Sequence, residues 1–414
     1  MTARQTDTNK PSAGKLPLAL IVATVMLDAI GIGLIIPVLP DLLLSVLPGQ
    51  SLSQATIWGG ILSSIYALMQ FIFSPILGSI SDAKGRKPVL VISLIVMIGY
   101  YLVMAVAQSI WLLLLGRIVG GITAATNATA GAYMADISSA DQKAARFGLI
   151  GAGFGMGFVL GPAIGGLLGE WGPRAPFYAA AVLAALNAAL SMFILPESLE
   201  DKNRRPFSLR RSNPLSALKD IAKFEGLAPL LIIFLVFAVA TSVYAAIWPF
   251  FTLERFNWSA GMVGISLTIY GVCFAIVQGT LVRPAIKRFG EGKTLIIGFC
   301  FEILALFVAS LITSGAFMIA WIPIASLGVI GQPALQAIMS KATSDDSQGV
   351  LQGVMSSLNS IAMVITPLTM TALFAFFTST QAPFYFPGAP FMASAILVVI
   401  SLVLFLRLSA KKQI

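Results

Sequence analysis

The sequence predicts an all-α integral membrane protein whose twelve transmembrane helices form two pseudo-symmetric six-helix bundles. Composition is the first reason: 57% of the 414 residues are hydrophobic and only 10% are charged, whereas soluble domains carry about 25% charged residues. The second reason is that apolar runs of transmembrane length recur twelve times along the chain. The third is an internal repeat that relates the two halves.

Each predicted helix is an apolar stretch long enough to cross the hydrocarbon core, where glycine and proline are tolerated. The predicted spans are 17–44, 56–80, 88–107, 110–134, 147–169, 175–195, 228–250, 259–282, 294–312, 316–339, 350–377 and 389–407. The polar segment 196–227 is a predicted linker between an N-terminal bundle, 1–195, and a C-terminal bundle, 228–414. The polar start lacks a signal-peptide cleavage pattern, so we expect the first span to be retained.

The distribution of basic residues predicts the orientation of the helices. If the N-terminus is cytoplasmic, all 26 Lys and Arg residues except Arg117, Arg174 and Arg255 lie in cytoplasmic segments or at their helix ends. The positive-inside rule therefore places both termini in the cytoplasm. The net charge of +9 then reflects topology and attraction to the membrane surface, and we expect no nucleic-acid partner.

The two halves resemble each other at an offset of 205 residues. At this offset Pro162 corresponds to Pro367, and in a predicted cytoplasmic loop Gly85 corresponds to Gly290. Both halves begin on the same side, so the repeat is parallel. Such repeats are related by an axis along the membrane normal, and their interface forms a substrate cavity near the midplane.

Asp28 lies inside the first predicted span, where a charge is costly. It is about ten residues into the helix, or ~15 Å at 1.5 Å per residue, which is near mid-bilayer. A bare charge there costs about 2.5–3.5 kcal/mol on insertion scales, and such groups are functional by default. We predict that Asp28 binds and releases a coupling proton. The alternative is a structural carboxyl hydrogen-bonded to a neighbouring helix.

Arg117 and Glu302 are the other candidates for proton coupling. Arg117 is the only basic residue well inside a span, so it needs a partner, and we expect it to pair with Asp28 directly or through water. That pair would either change during transport or act as a static link. Glu302 lies in the ninth predicted span. We expect it either to take part in proton coupling or to form a structural pair with another side chain.

The sequence GSISDAKGRKP joins the second and third spans and is a candidate gate. Gly78 allows close helix approach, Asp82 can cap or pair across the interface of the halves, and Gly85 permits a tight turn. Arg86 and Lys87 also follow the positive-inside rule. The alternative is a charged cytoplasmic turn, which explains the basic residues but not the full spacing.

The fifth span contains GAGFGMGFVLGPAIGG, in which glycines recur every fourth residue from Gly153 to Gly165. Such a face lets helix backbones touch, and Pro162 bends the helix. We predict that this face, which includes Gly157 and Gly161, slides or seals between the two halves. Dimerisation is the alternative.

Together these motifs resemble the major facilitator superfamily, more narrowly its twelve-span drug:proton antiporters, and most of all the tetracycline efflux branch. The resemblance rests on LDAIGIGLIIPVLP in the first span, GSISDAKGRKP, LLLGRIVGGITAA in the fourth span and GFVLGPAIGG in the fifth. It implies the major facilitator fold, a bacterial inner membrane, a protein that functions as a monomer, and protons and a small molecule as substrates. It places Asp28 and Arg117 at family-important positions, Asp82 and Arg86 in a cytoplasmic gate, and Glu302 at a ninth-span acid.

The chain departs from the tetracycline branch at three positions. Gly99 stands near the place of a third-span aspartate, and Phe274 stands in place of an eighth-span histidine. Asn127 replaces a glycine in the fourth span. The first two changes remove groups that could serve a metal-bound tetracycline or its proton. The resemblance therefore predicts the mechanism and leaves the drug open between tetracyclines and other compounds.

The expected substrate is a mid-sized amphipathic compound, because few polar groups in an apolar pocket usually set specificity. Candidate contacts are polar or aromatic side chains of the spans, for each of which plain packing is the alternative. They are Tyr66, Gln70, Asn127, Tyr244, Trp248, Phe274, Gln278, Gln332 and Gln336.

Other functional classes fit the sequence less well. A carrier for a defined metabolite or sugar is the main alternative to drug export. The sequence has no histidine, no nucleotide loop such as GxxxxGK[ST] and no recognisable catalytic constellation. We therefore expect no enzymatic activity, no metal site and no cofactor.

Overall fold

The computed structural model describes residues 15–410 except 125, 140, 209–212 and 214–225. This part of the chain is largely helical and has no β-strand, which confirms the prediction of an all-α protein. The helical stretches long and apolar enough to cross a membrane are Leu16–Val46 (α1), Leu52–Lys84 (α2), Arg86–Val106 (α3), Ile110–Ile137 (α4), Ala145–Gly169 (α5), Ala175–Ile194 (α6), Ala228–Phe256 (α7), Ala260–Leu311 (α8 and α9), Gly315–Lys341 (α10), Gln348–Thr378 (α11) and Ala389–Ala410 (α12).

The stretch Ala260–Leu311 contains two helices. Its 52 residues would extend about 78 Å at 1.5 Å per residue, far beyond the ~30 Å hydrocarbon core. Gly290 interrupts it with a φ of 76° and a ψ of 167°. Helix α8 therefore begins at Ala260, α9 ends at Leu311, and the described residues form twelve spans, as the sequence predicts.

The turn at Gly290 has a counterpart 205 residues earlier. Gly85, between α2 and α3, has a φ of 104° and a ψ of 156°, a conformation that glycine adopts without steric cost. The sequence alignment of the two glycines thus corresponds to a shared backbone turn. We call residues 15–194 the N-terminal half and residues 228–410 the C-terminal half. The side where α1 begins and α12 ends is the terminal side, and the opposite side is the far side.

Polar caps extend helices beyond the apolar stretches. The Ser51 hydroxyl accepts a hydrogen bond from the Gln54 N–H, and the Gln54 side-chain oxygen accepts one from the Ser51 N–H. Helix α2 therefore begins at Leu52 rather than at 56, and it continues to Lys84 rather than ending at 80. Counting apolar residues misses such turns, because capping residues are polar.

The glycine face of α5 packs against α1 within the N-terminal half, so the prediction that it lies between the halves is wrong. A Cβ on Gly157 would lie 2.7 Å from the Cβ of Ala29, and a Cβ on Gly161 would lie 2.8 Å from the Cα of Gly33. The two helices approach this closely because α5 has glycine, which lacks a Cβ, at both positions. The four-residue period identifies a close contact but not the neighbouring helix that makes it.

An adjacent face of α5 does contact the C-terminal half, on the far side. A Cβ on Gly166 would lie 3.0 Å from the Cα of Gly264 in α8, and the Pro162 carbonyl oxygen also lies against Gly264. The Glu170 carboxylate, just after α5, accepts a hydrogen bond from the Gly261 N–H at 2.8 Å. Among the predicted gating residues of α5, Pro162 is therefore the one at the interface of the halves.

Helices α2 and α11 form the second contact between the halves. The hydroxyls of Ser53 and Thr378 lie 2.7 Å apart near the far side. Closer to the middle, the Ser64 hydroxyl donates a hydrogen bond to the Val364 carbonyl at 2.7 Å. Together with the contact between α5 and α8, these bonds close the interface on the far side.

Candidate substrate cavity and proton site

A central cavity of about 300 Å³ lies between the two halves. Side chains of α1 to α5 form one wall, and side chains of α7 and α11 form the other. Most of the lining is apolar. The polar members are Ser63, Tyr66, Gln70, Tyr100, Tyr101, Arg117 and Ser242. An apolar pocket with a few convergent polar groups is typical of small-molecule sites.

Three residues expected from the sequence line this cavity. The Arg117 guanidinium carbon lies 5.5 Å from the centroid of the Tyr66 ring, a cation–π distance. The Gln70 amide donates a hydrogen bond to the Ala124 carbonyl at 3.3 Å. This bond satisfies a backbone group where α4 is interrupted after Thr123.

Sequence reasoning missed the aromatic part of the lining. Tyr100, Tyr101, Phe154, Phe158 and Phe250 all face the cavity. The rings of Phe154 and Phe158 are stacked, with centroids 6.2 Å apart. Their spacing of four residues places both on one helix face and was a usable signal, because such pairs lie above each other.

The central cavity leads toward the terminal side. A second, more polar cavity of about 590 Å³ shares Ala67, Gln70 and Met363 with it. This second cavity extends along α2 to Gly78 and along α11 to Ser356. A Cβ on Gly78 would meet nothing within 4 Å, so the close helix approach expected there is absent in this conformation. The halves therefore separate on the terminal side and touch on the far side.

Asp28 is buried behind the cavity wall. The residue is 5% exposed and borders a small space between α1, α3 and α6, together with Tyr101 and Asn187. Its Oδ1 atom has no hydrogen-bond partner among the described residues. Asn187 is engaged elsewhere, because it accepts a hydrogen bond from the Thr24 hydroxyl at 2.9 Å. Buried polar atoms without partners are rare in folded proteins.

The expected ion pair between Asp28 and Arg117 is not formed in the described structure. The Arg117 Nε atom is also buried without a partner. Tyr66 and Tyr101 each interact electrostatically with both charged residues. The charges thus belong to one cluster without touching, because the arginine packs over the Tyr66 ring.

Glu302 lies in a separate cluster inside the C-terminal half. It is 5% exposed, and its Oε1 atom has no partner among the described residues. Tyr244 interacts electrostatically with the Glu302 carboxyl. Tyr270 is the second tyrosine that interacts with it electrostatically. Both buried acids thus interact with tyrosines, and the cluster around Asp28 also includes Arg117.

Tyr244 and Trp248 do not line the central cavity, so their prediction as cavity residues is wrong for this conformation. They border a cavity of about 50 Å³ within the C-terminal half, together with Trp321. The Trp248 indole donates a hydrogen bond to the Ser266 hydroxyl at 2.9 Å. The helical period places aromatic residues on a face but does not tell which side of α7 meets the other half.

The remaining candidate contacts lie away from the central cavity. Phe274 and Gln278 are in the part of α8 near the terminal side, and Gln332 and Gln336 are in α10. None of these four borders the central or the terminal-side cavity. Asn127 lies in α4, and its side chain is outside the described residues.

Comparison with known proteins identifies the family. The model of the Major Facilitator Superfamily matches residues 21–252 and 230–413. The chain belongs to the major facilitator superfamily. It is 43% identical over 363 residues to tetracycline resistance protein, class C, of Escherichia coli, covering 88% of this chain and 91% of that protein. It is 36% identical to the class B protein of Escherichia coli, covering 84% and 86%. Quinolone resistance protein NorA of Staphylococcus aureus (strain MRSA252) is 29% identical, covering 91% and 94%.

Solved structures of transporters show the same fold. The nucleoside transporter NupG superposes with a TM-score of 0.77 at 14% identity, covering 95% of this chain and 99% of that chain. A bacterial homologue of the human lysosomal transporter Spinster gives a TM-score of 0.71 at 16% identity, covering 97% and 98%. The family and the fold class expected from the sequence are both confirmed.

The loop between α2 and α3 of this superfamily member contains a network of charges on the terminal side. The Arg86 guanidinium lies 3.0 Å from Asp136 and 2.5 Å from Asp82, and it donates a hydrogen bond to the Ser81 hydroxyl at 2.6 Å. Asp82 thus pairs within its own half in this conformation, rather than across the interface as the sequence suggested. Only Arg86 is deeply buried, since Asp82 is 42% exposed.

Glu197, which sequence reasoning missed, caps the start of α3. Its carboxylate accepts hydrogen bonds from the backbone N–H groups of Arg86 at 2.9 Å and Lys87 at 3.2 Å. A carboxylate at a helix N-terminus is favourable, because unpaired N–H groups point toward it. Gly85 leaves room for it, since a Cβ there would lie 2.9 Å from the Glu197 Cδ. The tight turn expected at Gly85 therefore also holds the linker against the N-terminal half.

The C-terminal half has the corresponding ion pair with reversed charges. At the offset of 205, Glu291 corresponds to Arg86 and Lys341 corresponds to Asp136. The Lys341 ammonium lies 2.6 Å from the Glu291 carboxylate. Each half thus joins the start of its third helix to the end of its fourth by one ion pair.

Proposed function

We propose that this protein is a proton-coupled antiporter that exports amphipathic drugs, of the tetracycline type or of a broader range, by alternating access. The observation that carries the proposal is the central cavity. It lies between the halves, is mostly apolar with a few polar groups, and is closed on the far side. Cavities of this kind at the interface of two repeats are the substrate sites of transporters.

In this proposal, the conformation described above is the one that loads drug. The bias of Lys and Arg places both termini in the cytoplasm of a bacterium, so the terminal-side cavity faces the cytoplasm. A drug enters between α2 and α11 and reaches Gln70, which borders both cavities. Closure on the terminal side and opening on the far side then release it.

The coupling proton binds at Asp28. Its Oδ1 atom has no hydrogen-bond partner among the described residues, and Arg117, which lines the cavity, belongs to the same electrostatic cluster. Binding of the drug and binding of the proton alternate through this cluster. One copy of the chain, embedded in lipid and without a cofactor, is sufficient for the cycle.

The class of drug is inferred from the proteins similar to this chain and from the positions at which the chain departs from the tetracycline branch. The relatives are named for resistance to tetracycline and to quinolones, which supports a drug rather than a metabolite. Gly99 and Phe274 remove an acid and a histidine that the tetracycline branch is expected to have. Among the polar residues of the cavity, Tyr66, Gln70 and Arg117 carry hydrogen-bond donors, which fit amphipathic compounds with hydrogen-bond acceptors.

Proteoliposomes with an imposed proton gradient test the proposal. The internal pH is recorded while tetracyclines, phenicols, quinolones or cationic dyes are added. We expect at least one class to drive proton movement in the wild type and not in Asp28→Asn. If none of the drugs drives proton movement but a sugar or another metabolite does, the protein is a metabolite carrier instead.

A further inference from the structure

Tyr101 of α3 stands between Asp28 and the central cavity. Its side chain borders the central cavity and also the small space around Asp28. It is the one residue of the described structure that lines both spaces. Tyr101 is 2% exposed, so its buried side chain forms a wall between the two spaces.

The position of this wall depends on a glycine of α1. A Cβ on Gly31 would lie 2.5 Å from the Tyr101 hydroxyl oxygen and 3.2 Å from its Cζ. Gly31 is three residues, about one helical turn, after Asp28. The hydroxyl therefore lies beside the turn of α1 that carries the carboxyl. On the other side the ring packs against Tyr100, with centroids 4.9 Å apart.

Tyr101 is also the polar side chain available to connect the two spaces. Besides Asp28, the polar residues that border the small space are Tyr101 and Asn187. Asn187 accepts a hydrogen bond from the Thr24 hydroxyl and donates one to the Thr24 carbonyl. Both ends of its amide are thus occupied, and the rest of the lining is apolar.

We propose that Tyr101 is a movable partition that couples the drug to the proton. A drug in the central cavity displaces the ring, and this displacement exposes Asp28 to water so that the carboxyl exchanges its proton. The inference rests on the proposed function and explains how drug and proton influence each other although the drug does not touch Asp28. Tyr101 is a positioning residue, and it does not itself carry the proton.

Accessibility of position 28 tests the partition without reference to transport. In a chain with Cys273→Ser and Cys300→Ser, Asp28→Cys is labelled with a small, water-soluble thiol reagent. Adding Tyr101→Ala should speed labelling about tenfold, because labelling follows the opening of the wall. Phe158→Ala is the matched control, since Phe158 borders the central cavity but not the small space, and it should leave the labelling rate close to that of the chain with Tyr101 and Phe158 both present.

Added drug gives a second readout of the same labelling. Tetracycline, or the drug that proves active in proteoliposomes, should speed the reaction when Tyr101 is present and have no effect with Tyr101→Ala. Equal labelling rates with Tyr101 and with Tyr101→Ala would overturn the proposal. Tyr101→Leu serves the same comparison if the alanine variant does not fold.

Transport assays separate this inference from the proposed function. In proteoliposomes, Tyr101→Ala should lower proton-driven drug uptake about tenfold more than drug-for-drug exchange, which needs no proton release. Tyr101→Phe retains the ring and should keep the ratio of the two rates near that of the wild type. An equal loss in both rates would show a merely structural role. If the wild type transports no drug, the proposed function fails, and the labelling rates alone decide whether Tyr101 covers Asp28.

Discussion

The two halves of the protein share a backbone plan but differ in the chemistry that each contains. Both have a glycine turn and an ion pair at equivalent positions on the terminal side. Their buried acids are not equivalent, because Ile233 stands 205 residues after Asp28 and Met97 stands 205 residues before Glu302. The repeat therefore gives both halves the same backbone plan, and the buried acids distinguish one half from the other.

The largest expected effect concerns the two acids. Asp28→Asn should reduce proton-driven drug uptake by about 100-fold or more, the range typical for loss of an essential proton-transfer group. Glu302→Gln should reduce it much less, because Glu302 borders neither cavity between the halves. Initial rates of uptake in proteoliposomes check this difference. Equal losses in the two variants would mean that coupling is shared between the halves.

The second comparison concerns the reversed ion pairs. Arg86→Gln should lower the free energy of unfolding by about 3 kcal/mol, since it leaves acidic partners without their cation in a largely buried network. Lys341→Gln should cost under about 1 kcal/mol, as expected for an exposed pair, because the Lys341 side chain is 69% exposed. Chemical unfolding in detergent micelles measures both. A larger loss of unfolding free energy in Lys341→Gln than in Arg86→Gln would show that the burial of these ion pairs does not determine their contribution to stability.

The third comparison concerns the glycine face of α5. Gly157→Ala should cost about 1–3 kcal/mol of stability through overpacking against α1. Gly155→Ala is the matched control on the same helix, because a Cβ there would meet nothing within 4 Å. The C-terminal half already has Ala362 at the position equivalent to Gly157. Melting temperatures in detergent should fall only for Gly157→Ala, and an equal fall in both variants would reject this packing argument.

The smallest effect concerns the far-side contact between the halves. The Ser259 hydroxyl and the Gly261 N–H hold the pKa of the Glu170 carboxyl below its usual range. The carboxylate form makes this contact, so its stabilisation is present at neutral pH and is lost as the pH falls through the lowered pKa. Acidification should therefore increase the fraction of molecules open on the far side by about two- to threefold, as for an exposed contact.

Spin labels on α5 and α8 measure this opening by their separation. Glu170→Gln should remove the dependence on pH. Asp41 is the neighbouring carboxyl, because it interacts electrostatically with Glu170, and Asp41→Asn is the control that should retain the dependence. Persistence of the pH effect in Glu170→Gln would assign it to another group.

The sequence predicts the helices because their signals are local. Apolar length and the glycine turns at Gly85 and Gly290 are read from short stretches, and the structure agrees with them. The break at Gly290 even explains why one continuous stretch of 52 residues holds two spans. The predicted and observed helices differ only in their first and last turns, as at the start of α2, which Ser51 caps.

The site is harder to predict because it depends on which neighbour each helix face meets. The glycines of α5 indicate close packing, but α1 and α8 both flank that helix, and the pattern does not distinguish them. Asp28 and Arg117 appear as natural partners in sequence, yet the ring of Tyr66 packs against the arginine instead. Tyr101 has no distinguishing pattern in the sequence, since its proposed role depends on lining two spaces that exist only in the folded chain.

Proton release on drug binding tests the central claim most directly. The purified protein in weakly buffered detergent is titrated with tetracycline, or with the drug that proves active in proteoliposomes, and the pH change gives protons released per drug bound. We predict release by the wild type and by Glu302→Gln, and none by Asp28→Asn. Undiminished release by Asp28→Asn, or its loss in Glu302→Gln alone, would contradict the assignment of coupling to the N-terminal half.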